Sequence, residues 1–126
     1  MISKVRNNKS AFTLVEIMIV VAIIGLLAAL AIPGFVKARK QSQGRRIIND
    51  ARQMDAAVDQ WALENGKKDG DAVNTTGAAT YLKTAWNTND LLGAAYVVST
   101  VGSQQVQIAA TTKSALQNVG IDWGPY

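Results

Sequence analysis

Hydrophobic and polar residues are distributed unevenly along the chain, and its most apolar stretch lies near the beginning. Phe12 to Val36 carries one charge, Glu16, and one proline, Pro33. Within this stretch, Ile17 to Val36 is an uncharged run of twenty residues. A bilayer core about 30 Å thick is crossed by roughly 20 apolar residues in a helix. The pattern therefore predicts a membrane-spanning helix over residues 12–36.

After Pro33 the pattern becomes amphipathic. One apolar stripe advances by three or four residues at a time, which is helical spacing, through Ile47, Ala51, Met54, Val58 and Trp61. The helix is thus expected to continue to about Glu64, where Asn65 and Gly66 form a stop signal. Because Pro33 lacks an amide hydrogen and Gly44 costs about 1 kcal/mol relative to Ala, we expect two helical halves joined by a flexible middle.

The rest of the chain predicts a small body of short elements. In order, they are a polar loop over Lys67–Gly77, a short helix over Ala78–Ala85, strands over Tyr96–Val101 and Gln104–Ala110, a helical turn over Thr111–Val119 capped by Thr111 or Thr112, and the apolar plugs Ile121, Trp123 and Tyr126. A hairpin alone is marginal in water, so it must pack on the apolar stripe. The predicted fold class is α+β, with a long N-terminal helix packed against a small C-terminal body containing a β-hairpin or small antiparallel sheet.

Glu16 is interpreted as a functional residue, because an ionisable side chain in a membrane span is costly and usually marks a partner. The preceding segment, Met1 to Ala11, contains three basic residues, no acid and a small last residue. Two other interpretations are open. One is a secretory signal cut after Ala31, within an A-x-A pattern, and the other is a plain single-span anchor. Neither of them explains Glu16.

At this junction, Ala11-Phe12-Thr13-Leu14-Val15-Glu16 resembles the prepilin cleavage motif of the type IV pilin and type II secretion pseudopilin family. The resemblance implies cleavage after Ala11 by the prepilin peptidase and methylation of the new amine of Phe12. It also makes Glu16 the acid that the motif demands. The family usually has Gly at the position of Ala11, and a small Ala should still fit the peptidase. The resulting domains are a leader over 1–11, a transmembrane and filament-core helix over 12–36, and the second half of the helix with a small body over 37–126.

The chemistry of Phe12 and Glu16 agrees with that resemblance. Cleavage before Phe12 creates a cationic amine that must enter lipid or a filament core, where it needs a counter-charge. If parallel copies are staggered along an axis, Glu16 of one copy can meet the amine of the next and set the axial register. Pro33 is assigned to the same assembly helix, which we expect to loosen near this residue when it is packed in a filament.

Composition narrows the possible functions. The net charge of +4 includes three cations of the predicted leader, so the mature side chains carry ten positive charges against nine negative ones. There is no Cys and no His, and Ser and Thr have no neighbouring base, so no catalytic residue is predicted and the chain is not expected to be an enzyme. Without disulfides the body must be held by packing.

No metal ligand is assigned, although the resemblance to the major pseudopilins of type II secretion raises calcium as a possible cofactor. The candidate oxygen donors are Asp69-Gly70-Asp71, Asp90 and Asp122. Tyr81, Trp86 and Tyr96 could stack nucleic acid, but no basic track is interleaved with them, so nucleic acid is not expected as a partner. Trp61 is interpreted as a core anchor.

The sequence therefore predicts a structural subunit of a type IV pilus-like or type II secretion pseudopilus filament. The chain would wait in the inner membrane as a single-pass protein and then enter a periplasmic or cell-surface filament. The implied partners are other copies of itself, the prepilin peptidase, the inner-membrane assembly platform, other pilins or pseudopilins, and membrane lipid. The alternative is a minor pilin or pseudopilin that acts as a membrane-anchored module for initiation or DNA uptake.

Overall fold

The computed structural model describes residues 11–126, so the predicted leader lies outside the described residues except for Ala11. The elements in order are α1 (Leu14–Glu64), α2 (Thr75–Ala79), β1 (Val97–Val98), β2 (Val106–Gln107) and α3 (Ala110–Ala115). The described chain forms two compact units, one ending at Val36 and one covering Lys37–Tyr126. The fold is α+β with a long N-terminal helix, as the sequence predicts.

Helix α1 ends where the stop signal predicted. Gly66 has a φ of 62°, a left-handed conformation that costs glycine little. The amide of Lys67 donates to the carbonyl of Ala62 at 2.8 Å, and the amide of Gly66 donates to that of Leu63 at 3.4 Å. This pair of hydrogen bonds is a Schellman motif, which satisfies carbonyls left free at the end of a helix.

The two separate helical halves expected in α1 are one continuous α-helix in the single chain, which passes through Pro33 and Gly44. Pro33 removes one backbone hydrogen bond, and the helix continues on both sides of it. Gly44 has a packing role instead of a loosening one. It is buried, and a Cβ there would overlap the Cδ1 atom of Ile121. The absence of a side chain thus lets Ile121 reach the helix backbone.

The core of the second unit forms around the apolar stripe of α1, as predicted. All five stripe residues are buried, and Ile47, Ala51 and Val58 are completely inaccessible. The same cluster includes residues from the loops, β2 and the C-terminal region, namely Tyr96, Val101, Val106, Ile108, Leu116 and Val119. Burying an aliphatic side chain contributes about 1.5–3 kcal/mol. The body is therefore held on α1 by one shared hydrophobic core.

The predicted hairpin exists, but its strands are shorter than expected. Antiparallel β1 and β2 pair Val97 with Gln107 and Val98 with Val106. Beyond them, Thr100 forms an isolated bridge with Ala72 of the preceding loop, and the amide of Val101 donates to the carbonyl of Asp71 at 2.9 Å. Between these two regions the Ser99 amide still donates to the Gln105 carbonyl at 2.8 Å. The first strand therefore parts from the second only at Thr100, where its continuation pairs with the 70–72 loop.

The two short helices differ from their predicted positions. Helix α2 begins at Thr75, three residues before the predicted start, because the Asn74 side chain caps it by accepting from the Gly77 amide at 3.1 Å. A Cβ at Gly77 would lie 2.6 Å from Nε1 of Trp61, so this glycine permits close packing. Helix α3 follows Ala109 without a side-chain cap. The predicted capping role of Thr111 or Thr112 was therefore wrong.

Candidate functional site

The start of α1 contains a helix cap formed by Thr13. The hydroxyl oxygen of Thr13 accepts from the amide of Glu16 at 3.2 Å, and the amide of Ile17 donates to the carbonyl of Thr13 at 3.3 Å. Thr followed three residues later by Glu is the sequence signature of a capping box. Glu16 also lies in the first helical turn, where the helix dipole favours a negative charge. The capping role of Thr13 could have been predicted from this spacing.

Phe12 and Glu16 lie at one cleft. This cleft, of about 350 Å³, is lined by both residues together with Ile17, Ile19 and Val20. Phe12 is 82% exposed, so its backbone amine, if freed by cleavage, would be accessible to another molecule. The arrangement brings the predicted methylation position and the predicted counter-charge to the same surface of the segment.

The apolar residues of this first unit cover no core of their own. The large ones from Phe12 to Val36 are between 45% and 82% exposed, and α1 contains a stretch long and apolar enough to cross a membrane. Pro33 lies within this exposed stretch of the helix. Such a surface is unfavourable in water, since roughly 25 cal/mol is lost for each Å² of exposed apolar area. It is typical of a segment that lies in lipid or packs against other apolar helices.

Comparison with known proteins identifies the family to which this segment is similar. Residues 6–32 match the model described as the prokaryotic N-terminal methylation motif. The type IV major fimbrial protein FimA of Dichelobacter nodosus is 38% identical over 90 residues, which is 71% of this chain and 51% of that protein. This chain belongs to the pilin and pseudopilin family.

Two further relatives are a fimbrial protein and a protein of a type II secretion system. Fimbrial protein Q of Moraxella bovis is 44% identical over 72 residues, covering 56% of this chain and 45% of that protein. The type II secretion system core protein G of Pseudomonas aeruginosa is 40% identical over 60 residues, covering 48% and 42%. The chain thus spans about half the length of the curated relatives it matches, and no solved structure matches it.

The acids considered for calcium do not converge in this pilin-family chain. Among residues 11–126 no group of three or more acidic side chains is placed to hold a metal. Asp71 accepts from the Lys68 amide at 2.8 Å, and Asp122 accepts from the Gly124 amide at 3.0 Å. The buried Asp90 accepts from the amides of Leu92 and Ala94 and from the hydroxyl of Thr112. Each of these three carboxylates therefore stabilises a turn or a packing contact.

The three aromatic residues considered for stacking pack on or within the core. Tyr96 is buried, while Tyr81 and Trp86 are partly buried against the core. Burial, together with the charges of Asp50 and Asp90, raises the pKa of Tyr96 above its ordinary range. The Tyr81 hydroxyl donates to Glu64 at the end of α1. Trp61 is 6% exposed, which confirms it as a core anchor.

Two acids of α1 hold β2 in place. Oδ1 of Asp55 accepts from the backbone amides of Gln105 and Val106 at 3.2 and 3.3 Å, and Oδ1 of Asp59 accepts from Nε2 of Gln105 at 2.6 Å. The Gln105 side chain is nearly inaccessible. The sequence pattern does not predict these hydrogen bonds, because the partners lie about fifty residues apart.

The partly buried carboxyl group of Asp55 predicts a pH dependence of stability. Burial raises the pKa of Asp55 above its ordinary value of 3.8, and the negative charge of Asp59 adds to the effect. The folded state therefore binds this proton more tightly than the unfolded state. The contribution of protonated Asp55 to the free energy of unfolding is complete below pH 3.8. It is lost as the pH rises through the higher pKa of the folded state.

We expect Asp55→Asn, which stays uncharged and keeps an acceptor oxygen, to remove this contribution to the pH dependence. Melting of the detergent-solubilised chain between pH 3 and pH 7, followed by near-ultraviolet circular dichroism, measures it. Asp55→Ala is the matched control, because it orphans two amides and should cost about 1–3 kcal/mol. A melting profile of the Asn variant that parallels the wild type would contradict the assignment.

Proposed function

We propose that this chain is the structural subunit of a type IV pilus-like or type II secretion pseudopilus filament and has no catalytic role. The observation that carries the proposal is the exposed apolar α1 segment, which begins with Phe12 and Glu16 at one cleft inside the matched methylation motif. The segment holds the chain in the inner membrane before assembly. In the filament, the same apolar surface is buried against other copies.

Processing comes before assembly in this proposal. The prepilin peptidase cleaves between Ala11 and Phe12, and the new amine of Phe12 is methylated. A methylated amine remains cationic, so it still needs a counter-charge in an apolar environment. Glu16 of a neighbouring, axially displaced copy supplies it, and this pairing fixes the register between the two chains. The inner-membrane assembly platform and other pilins or pseudopilins complete the set of partners.

The extent of the similarity favours the pilus branch. The alignment with the fimbrial protein of Dichelobacter nodosus covers 90 residues. Since α1 ends at Glu64, the alignment must include residues of the C-terminal body. The alignment with the core protein G of Pseudomonas aeruginosa covers 60 residues, which the leader and α1 could supply alone. The longer alignment supports a type IV pilus filament over a secretion pseudopilus.

The processing site tests this proposal directly. We expect the mature chain to begin at methylated Phe12, because Ala11 is small and exposed and Glu16 follows at the spacing of the motif. Mass spectrometry of the N-terminal peptide from cell membranes and from sheared filaments measures it. A mature chain beginning at Ile32 would establish the secretory signal and refute the filament subunit.

A further inference from the structure

A polar groove in the second unit has no role in the function proposed above. It has a volume of about 340 Å³ and runs between α1 and the C-terminal segment. The α1 wall contributes Gln41, Arg45, Ile48, Asn49 and Arg52, and the opposite wall consists of Gly120, Ile121 and Asp122. Arg45 and Arg52 are both exposed. They are seven residues apart, which places their side chains on one face of the helix.

The groove is built into the fold. Two contacts join its walls: Ile121 packs against Gly44 of α1, and Nε2 of Gln41 donates to the carbonyl of Val119 at 2.6 Å. Gly120 has a φ of 72° and no side chain to fill the opening. Asp122, the acid of this wall, has one carboxylate oxygen accepting from the Gly124 amide. Two guanidinium groups on a fixed frame suit a carboxylate, which Arg can bind through two hydrogen bonds.

The distribution of charge in the second unit indicates where such a carboxylate comes from. Residues 37–54 contain six Lys or Arg and one acid, whereas residues 55–126 contain four Lys and seven acids. The stretch that bears the groove is therefore strongly basic, and the remainder of the unit is acidic. Copies that are displaced along a common axis can bring these opposite charges together, and electrostatic complementarity of this kind fixes the register between partners.

In the described part of the chain, one exposed carboxylate on the acidic side has both of its oxygens free for this contact. Six of the seven acids in residues 55–126 accept hydrogen bonds from their own chain: Asp55, Asp59, Glu64, Asp71, Asp90 and Asp122. Asp69 is exposed, and no hydrogen bond within residues 11–126 holds its carboxylate. Its turn is fixed, since the Lys68 amide donates to Asp71 at 2.8 Å and the Gly70 amide donates to the Val101 carbonyl at 2.8 Å.

We propose that the groove of one copy binds Asp69 of a second copy through Arg45 and Arg52. This contact rests on the proposed filament and adds a specific joint between the bodies of its subunits. The exposed turn enters the groove above Ile48, and the open position at Gly120 leaves room for its backbone. A single exposed ion pair contributes little, but here the pair is partly shielded by the groove walls and recurs at every subunit.

Cysteine cross-linking tests the contact without background, because the natural chain contains no Cys. We expect oxidised filaments of the double variant Arg52→Cys/Asp69→Cys to run as a ladder of covalent multimers. Each single variant should give no ladder. The matched control is Arg52→Cys/Lys83→Cys, since Lys83 is an exposed cation outside the groove. Filaments in normal yield without a ladder, or an equal ladder from the control, would overturn the proposal.

Charge exchange provides the second measurement. We expect Arg52→Asp and Asp69→Arg each to lower the yield of sheared filaments about tenfold, and the double exchange to recover at least half of the wild-type yield. Lys83→Glu should leave the yield unchanged. Normal yield from either single exchange, or no recovery in the double exchange, would refute the contact. The wild type on the same immunoblot separates the two proposals, because only failure of the filament function would leave it without filaments.

Discussion

Replacing Glu16 by Gln is expected to leave processing and membrane insertion intact and to stop filament assembly. The amide is neutral and tolerable at the edge of the membrane, so the processed monomer should still accumulate there. In the filament, however, the cationic amine of Phe12 would lose its counter-charge. Leaving one buried charge unpaired costs about 3–5 kcal/mol, which shifts a subunit equilibrium by more than a hundredfold.

The cap at the start of α1 makes this substitution informative. Glu16 lies three residues after Thr13, whose hydroxyl oxygen accepts from the Glu16 amide. Gln is also accepted at this position of a capping box, so Glu16→Gln keeps the local helix signal and removes only the charge. Thr13→Ala is the matched control, because it removes the cap at a cost of about 1 kcal/mol and keeps the carboxylate.

The measurement is an immunoblot of sheared filaments beside the membrane fraction, with mass spectrometry of the N-terminus of each variant. Thr13→Ala should still assemble, whereas Glu16→Gln should appear only in membranes as processed monomer. Normal filament yield from the Gln variant would show that Glu16 does not set the register. Loss of filaments from both variants would instead assign its role to the helix start.

Features with local signals were predictable from the sequence. The stripe from Ile47 to Trp61 and the stop at Gly66 depend on residue spacing and on glycine's access to positive φ, and the structure has both. The exposed apolar segment with Glu16 in its first turn was predictable for the same reason. The roles of Ala11, Phe12, Glu16 and Pro33 depend on other molecules, so they stay predictions.

Features that depend on distant partners were not predictable. By sequence alone Gly44 is a weak point of the helix, whereas in the structure it allows Ile121 to pack against the helix backbone. Thr112 resembles a helix cap by its position, but its hydroxyl is bound by Asp90, twenty-two residues earlier. Periodicity and turn preferences describe neighbours in sequence, and they carry no information about which loop a side chain will meet after folding.

Asp90 provides the second large expected effect. This buried carboxylate joins the turn at residues 90–94 to α3, because Oδ1 accepts from the amides of Leu92 and Ala94 at 2.9 and 3.0 Å while Oδ2 accepts from the Thr112 hydroxyl. Asp90→Ala leaves three donors without a partner. The buried Thr112 hydroxyl should cost roughly 1–3 kcal/mol when unsatisfied, and each of the two part-buried amides should cost less, so we expect a loss of about 3–5 kcal/mol. That is a large part of the stability of a small domain.

Two milder substitutions separate the contributions of the Asp90 carboxylate. Asp90→Asn keeps an oxygen for the two amides, and the Thr112 hydroxyl can rotate to accept from the new amide group, so we expect a loss of about 1 kcal/mol. Thr112→Val keeps the side-chain shape and removes one donor. Near-ultraviolet circular dichroism of the detergent-solubilised chain follows unfolding, because all three tryptophans lie in the second unit. If the Ala variant and the Asn variant have the same melting temperature, the carboxylate does not hold the turn to α3. An unchanged Ala variant would also show that this turn contributes nothing to the stability of the body.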